Sequence, residues 1–198
     1  MRPHTPEQSS LAGFDPAPQP TDRLFFAIFP TVVAAARIAE LAQHLRGELG
    51  LKGRPLAVDR FHVTLDHLGD FVGLPKSIVK MACTVAATIA APPFEIVFDR
   101  VESFGRGRAN LPFVLRGNEG VVALMAFRQT LVAALAKAGL GSGTKSTYTP
   151  HVTLLYDKSR VPEHAVETVA WTAREFVLVR SLLGRTRHVV LGRWPLQH

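Results

Sequence analysis

The chain has 198 residues, 47% of them hydrophobic and 20% charged, which suits one globular domain with a buried core. Its 23 Lys and Arg residues outnumber 16 Asp and Glu residues, and the formal charge of +7 favours a polyanionic partner such as RNA or DNA. The single cysteine, Cys83, excludes a disulfide within the chain and a cysteine-rich zinc site. Because every apolar run is shorter than the roughly 20 residues of a membrane span, we expect no membrane partner. We expect a cytoplasmic monomer.

The first 22 residues differ in composition from the rest. They are rich in Pro, Ser and Gln and lack the apolar core of a signal peptide. The sequence therefore predicts a flexible tail over 1–22 and a single domain over 23–198.

The first half of the domain alternates predicted strands with predicted helices. An apolar run over 23–29 predicts a buried strand, and Thr31 is a candidate N-cap for the helix that follows. A second strand is predicted over 58–68, ended by Gly69, and a second helix opens at Leu74-Pro75. The apolar positions that recur at helical spacing are Ile38, Leu41, Leu45 and Leu49 in the first helix and Ile78, Met81, Val85 and Ile89 in the second.

The second half is richer in strands. Strands are predicted over 94–104 and 112–116, with a turn between them, and again over 175–183 and 187–193. A third helix, which stops near Gly139, has one apolar face made of Leu124, Phe127, Leu131 and Leu135. Strands and helices mix without strict β-α-β alternation, so we predict an α+β fold with antiparallel sheets.

The tetrapeptide His-Val-Thr-Leu occurs twice, at 62–65 and at 151–154, each time within a predicted strand. Side chains two positions apart in a strand project from the same face. His62 and Thr64 therefore project together, as do His151 and Thr153, while Val and Leu anchor each strand in the core. If the two strands lie close together, two imidazoles and two hydroxyls converge on one site.

This set of groups suits phosphoester chemistry. A neutral His can accept a proton from an attacking hydroxyl or water while a protonated His gives one to the leaving oxygen. The Thr hydroxyls can donate hydrogen bonds to the nonbridging phosphate oxygens. Neither step requires a metal or a cofactor. A metal site made of His62, His67 and His151 is a weaker alternative, because strict alternation places His62 and His67 on opposite faces and no carboxylate is spaced to complete it.

The sequence resembles the 2H phosphoesterase superfamily, whose mark is two H-x-T/S-x motifs, and within it the bacterial RNA 2′,3′-cyclic phosphodiesterases, or 2′-5′ RNA ligase-like proteins. The resemblance runs from Arg23 to Leu196, through RLFFAIFP, FHVTLDHLGDF, YTPHVTLLYD, FVLVRSLLG and LGRWPL. It implies two pseudo-symmetric lobes, each an antiparallel sheet with helices packed outside, and an active-site cleft between them.

The resemblance also implies roles for the motif residues. His62 is expected to donate a proton to the departing oxygen and His151 to accept one from water, with Thr64 and Thr153 on the phosphate. The implied reaction opens an RNA 2′,3′-cyclic phosphate to a 2′-phosphate, and its reverse counterpart joins ends through a 2′-5′ bond.

The chain departs from its relatives five residues after each motif histidine. Relatives often have an Arg in the second copy, where this chain has Tyr156, and an aromatic residue in the first, where it has His67. Tyr156 is a candidate for stacking on a base, as aromatic side chains do with single-stranded RNA, or an ordinary sheet residue like Tyr148. Further candidate substrate contacts are Arg106 and Arg108 in the glycine-flanked turn and Lys145 in the loop before the second motif.

We therefore expect a cofactor-independent phosphodiesterase whose partner is an RNA or nucleotide with a 2′,3′-cyclic phosphate. Two alternatives remain: the same chemistry on a small cyclic nucleotide or ADP-ribose-derived metabolite, and a non-catalytic RNA-binding module.

Overall fold

The computed structural model describes residues 18–105, 107, 110–140 and 148–197. These residues form eight strands and three helices. In chain order they are β1 (Asp22–Ile28), α1 (Val32–Glu48), β2 (Val63–Phe71), α2 (Lys76–Ala86), β3 (Phe94–Ser103), β4 (Leu111–Arg116), α3 (Val122–Lys137), β5 (His151–Asp157), β6 (His164–Ala173), β7 (Glu175–Leu182) and β8 (Arg187–Pro195).

The strands form one antiparallel sheet in the order β6-β3-β4-β5-β2-β1-β7-β8. This confirms the predicted α+β class with antiparallel pairing. The sheet consists of two groups of four strands, and the only registered pair between β2 and β5, which join the groups, is Val63 with Val152. The two pseudo-symmetric lobes stay a prediction. The strand order nevertheless places the two His-Val-Thr-Leu copies on neighbouring strands at the centre of the sheet.

The three helices share one large apolar core with the sheet. Helix α1 contributes Ala34, Ile38, Ala42 and Leu45, whose spacing gives a single buried face. The predicted N-cap is confirmed, because the Thr31 hydroxyl accepts a hydrogen bond from the Ala34 amide at 3.3 Å. The apolar face predicted for α3 is likewise buried. No helix in the described ranges is both long and apolar enough to cross a bilayer.

One predicted strand differs from the structure in its bounds, and one strand of the structure was not predicted. The strand predicted over 58–68 begins with a short 3-10 turn, Val58–Arg60, and the strand itself runs from Val63 through Gly69 to Phe71. Strand β6 was not predicted at all. It lies at the edge of the sheet, and its alternation changes phase midway. Val169, Trp171 and Ala173 are buried in the second half, whereas the first half alternates only between half-buried and exposed residues, a pattern that is hard to recognise in the sequence.

The boundary of the predicted N-terminal tail is also displaced. Residues 1–17 lie outside the described ranges, but Asp22 is the first residue of β1 and its side chain is buried. The Asp22 carboxylate is paired with Arg180 and accepts a hydrogen bond from the Thr21 hydroxyl at 2.6 Å. These donors, Arg180 first, lower the pKa of Asp22. Asp22 therefore belongs to the folded domain.

Candidate active site

Both His-Val-Thr-Leu motifs face a single cleft of about 440 Å³. The side chains of His62, Thr64, His151 and Thr153 all line it. Their Val neighbours, Val63 and Val152, are fully buried in the core. The alternation of polar and apolar positions thus acts in both copies as the sequence predicts, and the four polar side chains converge.

A bulge in β2 adds a fifth group to the cleft. Thr64 pairs with Ala27 of β1 and His67 pairs with Phe25, so three steps along β2 match two steps along β1. The extra residue is Leu65, the last residue of the motif, which has no partner in β1. Since paired residues project from the same face, the bulge places His67 on the same side as Thr64.

Strand β5 has the same bulge at the equivalent residue. Thr153 pairs with Val114 of β4 and Tyr156 pairs with Pro112, which leaves Leu154 as the extra residue. Tyr156 therefore shares the face of Thr153, and it lines the cleft with 43% of its surface exposed. His67 and Tyr156 occupy equivalent positions in the two copies.

The bulge corrects one part of the sequence analysis. Strict alternation places His62 and His67 on opposite faces, whereas both line the cleft. The geometric argument against a three-histidine metal site was therefore wrong. Among the described residues, however, no group of three or more His, Cys, Asp or Glu side chains is arranged to hold a metal ion.

Each motif histidine is anchored through Nδ1 to a backbone carbonyl two residues earlier. His62 Nδ1 lies 2.7 Å from the Arg60 carbonyl oxygen, and His151 Nδ1 lies 2.7 Å from that of Thr149. A carbonyl only accepts hydrogen bonds, so Nδ1 carries the hydrogen in both rings. This fixes the tautomer and leaves Nε2 of each ring to exchange protons with a ligand.

Each imidazole also packs on a phenylalanine. Phe25 stacks on His62 and Phe104 meets the His151 ring edge-on, both with ring centroids 4.9 Å apart. Burial disfavours the charged imidazolium and lowers both pKa values. It lowers the pKa of His62 to about 4, with the charges of Arg60 and His151 contributing. Both histidines therefore favour the neutral form near pH 7.

Side chains hold the bulged backbone of the first motif. Arg128 of α3 donates from Nε to the Leu65 carbonyl at 2.7 Å, and the Tyr148 hydroxyl donates to the Thr64 carbonyl at 2.7 Å. The Arg128 guanidinium carbon lies 3.9 Å from the centroid of the Tyr148 ring, a cation-π contact. Burial raises the pKa of Tyr148. Tyr148 is therefore a half-buried hydrogen-bond donor to the backbone of the first motif, and it lies outside the strands.

In the second motif, the bulged backbone is held by a backbone amide of the loop between α1 and β2. The Leu56 amide donates to the Leu154 carbonyl at 2.8 Å. The loop is fixed by Asp157, whose carboxylate accepts the amides of Lys52 and Gly53 at 2.6 Å each. These amides and that of Ser159, the strongest contributor, lower the pKa of Asp157 to about 2.

Gly53 is needed for the loop to lie this close to the backbone of β5 at Tyr156. A Cβ atom at this position would lie 2.0 Å from the Tyr156 carbonyl oxygen, closer than any real contact.

Two of the basic groups in the cleft share one carboxylate. Arg23 forms a bidentate pair with Asp70, with both contacts at 2.7 Å, and His67 Nε2 lies 3.0 Å from the same carboxylate. Arg23, the stronger influence, and His67 lower the pKa of Asp70 to about 2. His67, predicted as a substrate contact, is thus on the cleft wall but is already paired.

Sequence reasoning missed four polar residues that line the cleft: Arg23, Arg60, Ser181 and His188. Arg60 had a signal in the sequence: it lies two residues before His62, as Thr64 lies two after it. His188 had none, because it comes from β8, far along the chain. Arg106, Arg108 and Lys145, three predicted contacts, lie outside the described residues.

An α+β fold in which paired His-x-Thr motifs meet on adjacent central strands defines a phosphoesterase of the 2H type. The description of the family model that matches residues 30–185 is "2′-5′ RNA ligase superfamily". The chain belongs to this superfamily, which confirms the resemblance found in the sequence.

Several other proteins are similar to the chain over most of its length. RNA 2′,3′-cyclic phosphodiesterase of Escherichia coli (strain K12) is 31% identical over 179 residues, covering 88% of this chain and 96% of the relative. The crystal structure of E. coli LigT complexed with 3′-AMP superposes on this chain with a TM-score of 0.70 and 29% sequence identity. The superposition covers 91% of this chain and 100% of the LigT chain. TT0787 of Thermus thermophilus shares the fold, with a TM-score of 0.70 at 23% identity, over 88% of this chain and 98% of its own.

Proposed function

We propose that this protein hydrolyses RNA 2′,3′-cyclic phosphate ends to 2′-phosphate ends by paired histidine acid/base catalysis. The observation that carries the proposal is the convergence of two Nδ1-anchored imidazoles and two Thr hydroxyls on one cleft. Membership of the superfamily and similarity to the E. coli RNA 2′,3′-cyclic phosphodiesterase support the choice of substrate.

In the proposed reaction, water attacks phosphorus in line with the bond to O3′. Nε2 of neutral His151 accepts the proton of the water while Nε2 of protonated His62 donates a proton to the departing O3′. The P–O3′ bond breaks, and the products are a 2′-phosphomonoester and a free 3′-hydroxyl. The hydroxyls of Thr64 and Thr153 donate hydrogen bonds to the nonbridging oxygens and stabilise the charge that builds up there. Proton exchange with solvent restores both imidazoles.

The substrate itself supplies the condition that protonates the acid. The pKa of His62 is low because the ring is buried and lies near the cation Arg60. A bound phosphodiester brings a negative charge next to the imidazole, and an opposite charge favours the protonated form. Binding therefore raises the pKa of His62 at the moment when a proton donor is needed.

The proposal extends to 2′-5′ ligation by the same groups. If a 5′-hydroxyl of another RNA takes the place of water, His151 accepts its proton and the product is a 2′-5′ phosphodiester. Competition between water and the hydroxyl then determines the outcome.

A small cyclic nucleotide is a second candidate substrate. The cleft volume of about 440 Å³ lies within the range typical of sites for small ligands, and E. coli LigT has been crystallised with 3′-AMP. The reaction at phosphorus is the same for both substrates.

The test is incubation of the purified protein, in EDTA, with an oligoribonucleotide that ends in a 2′,3′-cyclic phosphate, and in parallel with a cyclic mononucleotide. We expect ring opening to a 2′-phosphate, identified by ³¹P NMR, and its loss in His62→Ala and His151→Ala. His44→Ala, which removes an exposed imidazole on α1, is the matched control and should remain active.

Persistence of the ring with the unsubstituted protein, or equal opening rates with both alanine variants, would contradict the proposal. A 3′-phosphate product would overturn the direction of the acid/base assignment while leaving the reaction class intact. A cytoplasmic location and a monomeric state stay predictions from the sequence. They are checked by fractionation of cells and by light scattering.

A further inference from the structure

Hydrogen-bonding capacity is distributed unevenly in the cleft. Nδ1 of His62 and of His151 is bonded to backbone, and Arg23 and His67 share the carboxylate of Asp70. These five residues are thus already engaged by the protein. The two remaining basic side chains are not, and both lie on the side of His62.

Arg60 is the cation in the cleft that lacks a carboxylate. Within the described ranges, its guanidinium makes no ion pair, and its Nε is buried without a hydrogen-bond partner. A buried donor without a partner is costly, as is a cation without a counterion. The Arg60 side chain is therefore poised to bind an anion.

His188 is the second such group. Its ring lies 5.1 Å from that of His62 and 5.5 Å from that of Phe25, edge-on to both, and its Nδ1 is buried without a partner in the described residues. Burial, more than the nearby basic groups His62 and Arg60, lowers the pKa of His188 to about 4. All three side chains line the same cleft. No such additional pair accompanies His151 among the described residues that line the cleft.

The proposed reaction determines which part of the substrate lies on the side of His62. His62 donates its proton to O3′, and O3′ belongs to the terminal ribose. The water attacks from the opposite side, next to His151. The ribose, and the phosphodiester attached to its 5′ carbon, therefore lie on the same side of the reacting phosphorus as His62.

We propose that Arg60 and His188 form a second anion subsite, which binds the phosphodiester on the 5′ side of the terminal nucleotide. The guanidinium matches phosphate oxygens with a fork of N–H donors, and neutral imidazole adds one N–H donor. The inference rests on the proposed function and narrows its substrate class: the preferred substrate is an oligonucleotide end and not a cyclic mononucleotide.

The test compares kcat/KM for three substrates. These are adenosine 2′,3′-cyclic phosphate, the dinucleotide ApA with a terminal 2′,3′-cyclic phosphate, and the same dinucleotide with a neutral methylphosphonate as its internal linkage. The unsubstituted protein should prefer the charged dinucleotide over the mononucleotide by at least about tenfold, the factor that one good contact gives. The methylphosphonate should lose most of that preference.

Two variants test whether Arg60 and His188 cause the preference for the charged dinucleotide. Arg60→Gln should reduce the ratio of dinucleotide to mononucleotide kcat/KM to within about threefold of unity, and His188→Asn should reduce it in part. Arg54→Gln removes the same charge from the same loop at an exposed position outside the cleft, and should leave the ratio unchanged.

Equal losses on both substrates in Arg60→Gln would place Arg60 on the reacting phosphate and overturn the inference. Equal rates of the unsubstituted protein on the charged and neutral dinucleotides would overturn it as well, and this arm holds even if a variant does not fold. If the unsubstituted protein opens no ring at all, the proposed function fails. That result is distinct from opening all three substrates equally fast.

Discussion

The two His-Val-Thr-Leu copies have the same local geometry and different surroundings. In each, Nδ1 of the histidine is bonded to a carbonyl two residues earlier, a phenylalanine packs on the ring, and the final leucine is the bulged residue. The bulged carbonyl is bonded by the Arg128 side chain in the first copy and by the Leu56 amide in the second. Only the first copy has Arg60 and His188 beside it.

The difference separates two tasks. What the copies share is what both sides of a phosphorus atom need: a nitrogen for proton transfer and a hydroxyl for a nonbridging oxygen. What they do not share must serve a part of the substrate that exists on one side only.

Loss of either histidine should have the largest effect. His62→Ala and His151→Ala should each lower kcat by about 10²–10⁴, the usual contribution of a general acid or base. The double variant should be little slower than the slower single variant, because the two groups act in one step. Single-turnover assays measure all three rates. Multiplicative losses would show that the two histidines act independently.

Loss of either threonine hydroxyl should have the next largest effect. Thr64→Val and Thr153→Val keep the shape of the side chain and should each lower kcat by about 10², as loss of one donor to a developing oxyanion does. Thr→Ser at the same positions should restore most of the rate. A large effect at one threonine and none at the other would break the equivalence of the two copies.

Only the bulge of the first motif is bonded by side chains, so only that bulge should be destabilised by a side-chain substitution. Arg128→Met leaves the Leu65 carbonyl without its donor and should lower the free energy of unfolding by about 1–3 kcal/mol. Tyr148→Phe removes one hydrogen bond to Thr64 and should cost about 1 kcal/mol. Urea denaturation measures both, with Arg37→Met, an exposed arginine of α1, as the control. An unchanged midpoint for Arg128→Met would show that the bulge needs no side-chain support.

The smallest effect should be specific to one copy. Burial is the main cause of the low pKa of His62 and the charge of Arg60 is a smaller one, so Arg60→Gln should raise that pKa only slightly. Burial, not Arg60, lowers the pKa of His151, which should stay where it is. NMR titration of the two imidazoles shows whether the pKa changes at His62 alone or at both histidines. A common shift of both would mean that the surroundings of the copies are not distinct.

The sequence predicts the parts of the site that depend on local periodicity. Alternation places His62 with Thr64 and His151 with Thr153 on one face, and the helical faces of α1 and α3 follow from spacing. The bulges at Leu65 and Leu154 depend on the register with the neighbouring strands β1 and β4, which no local pattern contains. This is why the side occupied by His67 was mispredicted.

Other features depend on contacts between distant segments. His188 reaches the cleft only because β8 is the outer neighbour of β7 in the sheet. Edge strand β6 was missed because its first half has no fully buried residue and its alternation changes phase midway. Both failures have the same cause: the place of β6 and β8 in the sheet depends on pairing with strands that are distant in the sequence or on the neighbouring hairpin, and no local pattern contains that information.

The pH dependence of kcat/KM on a 2′,3′-cyclic phosphate substrate tests the paired-histidine centre most directly. The free enzyme must hold one imidazole protonated and one neutral. The rate should therefore fall at low pH as the acceptor gains a proton and at high pH as the donor loses one. Burial lowers the pKa of both His62 and His151, so the maximum, midway between the two apparent values, should lie below about 6.5. A profile with one limb, or a maximum well above pH 7, would contradict the account.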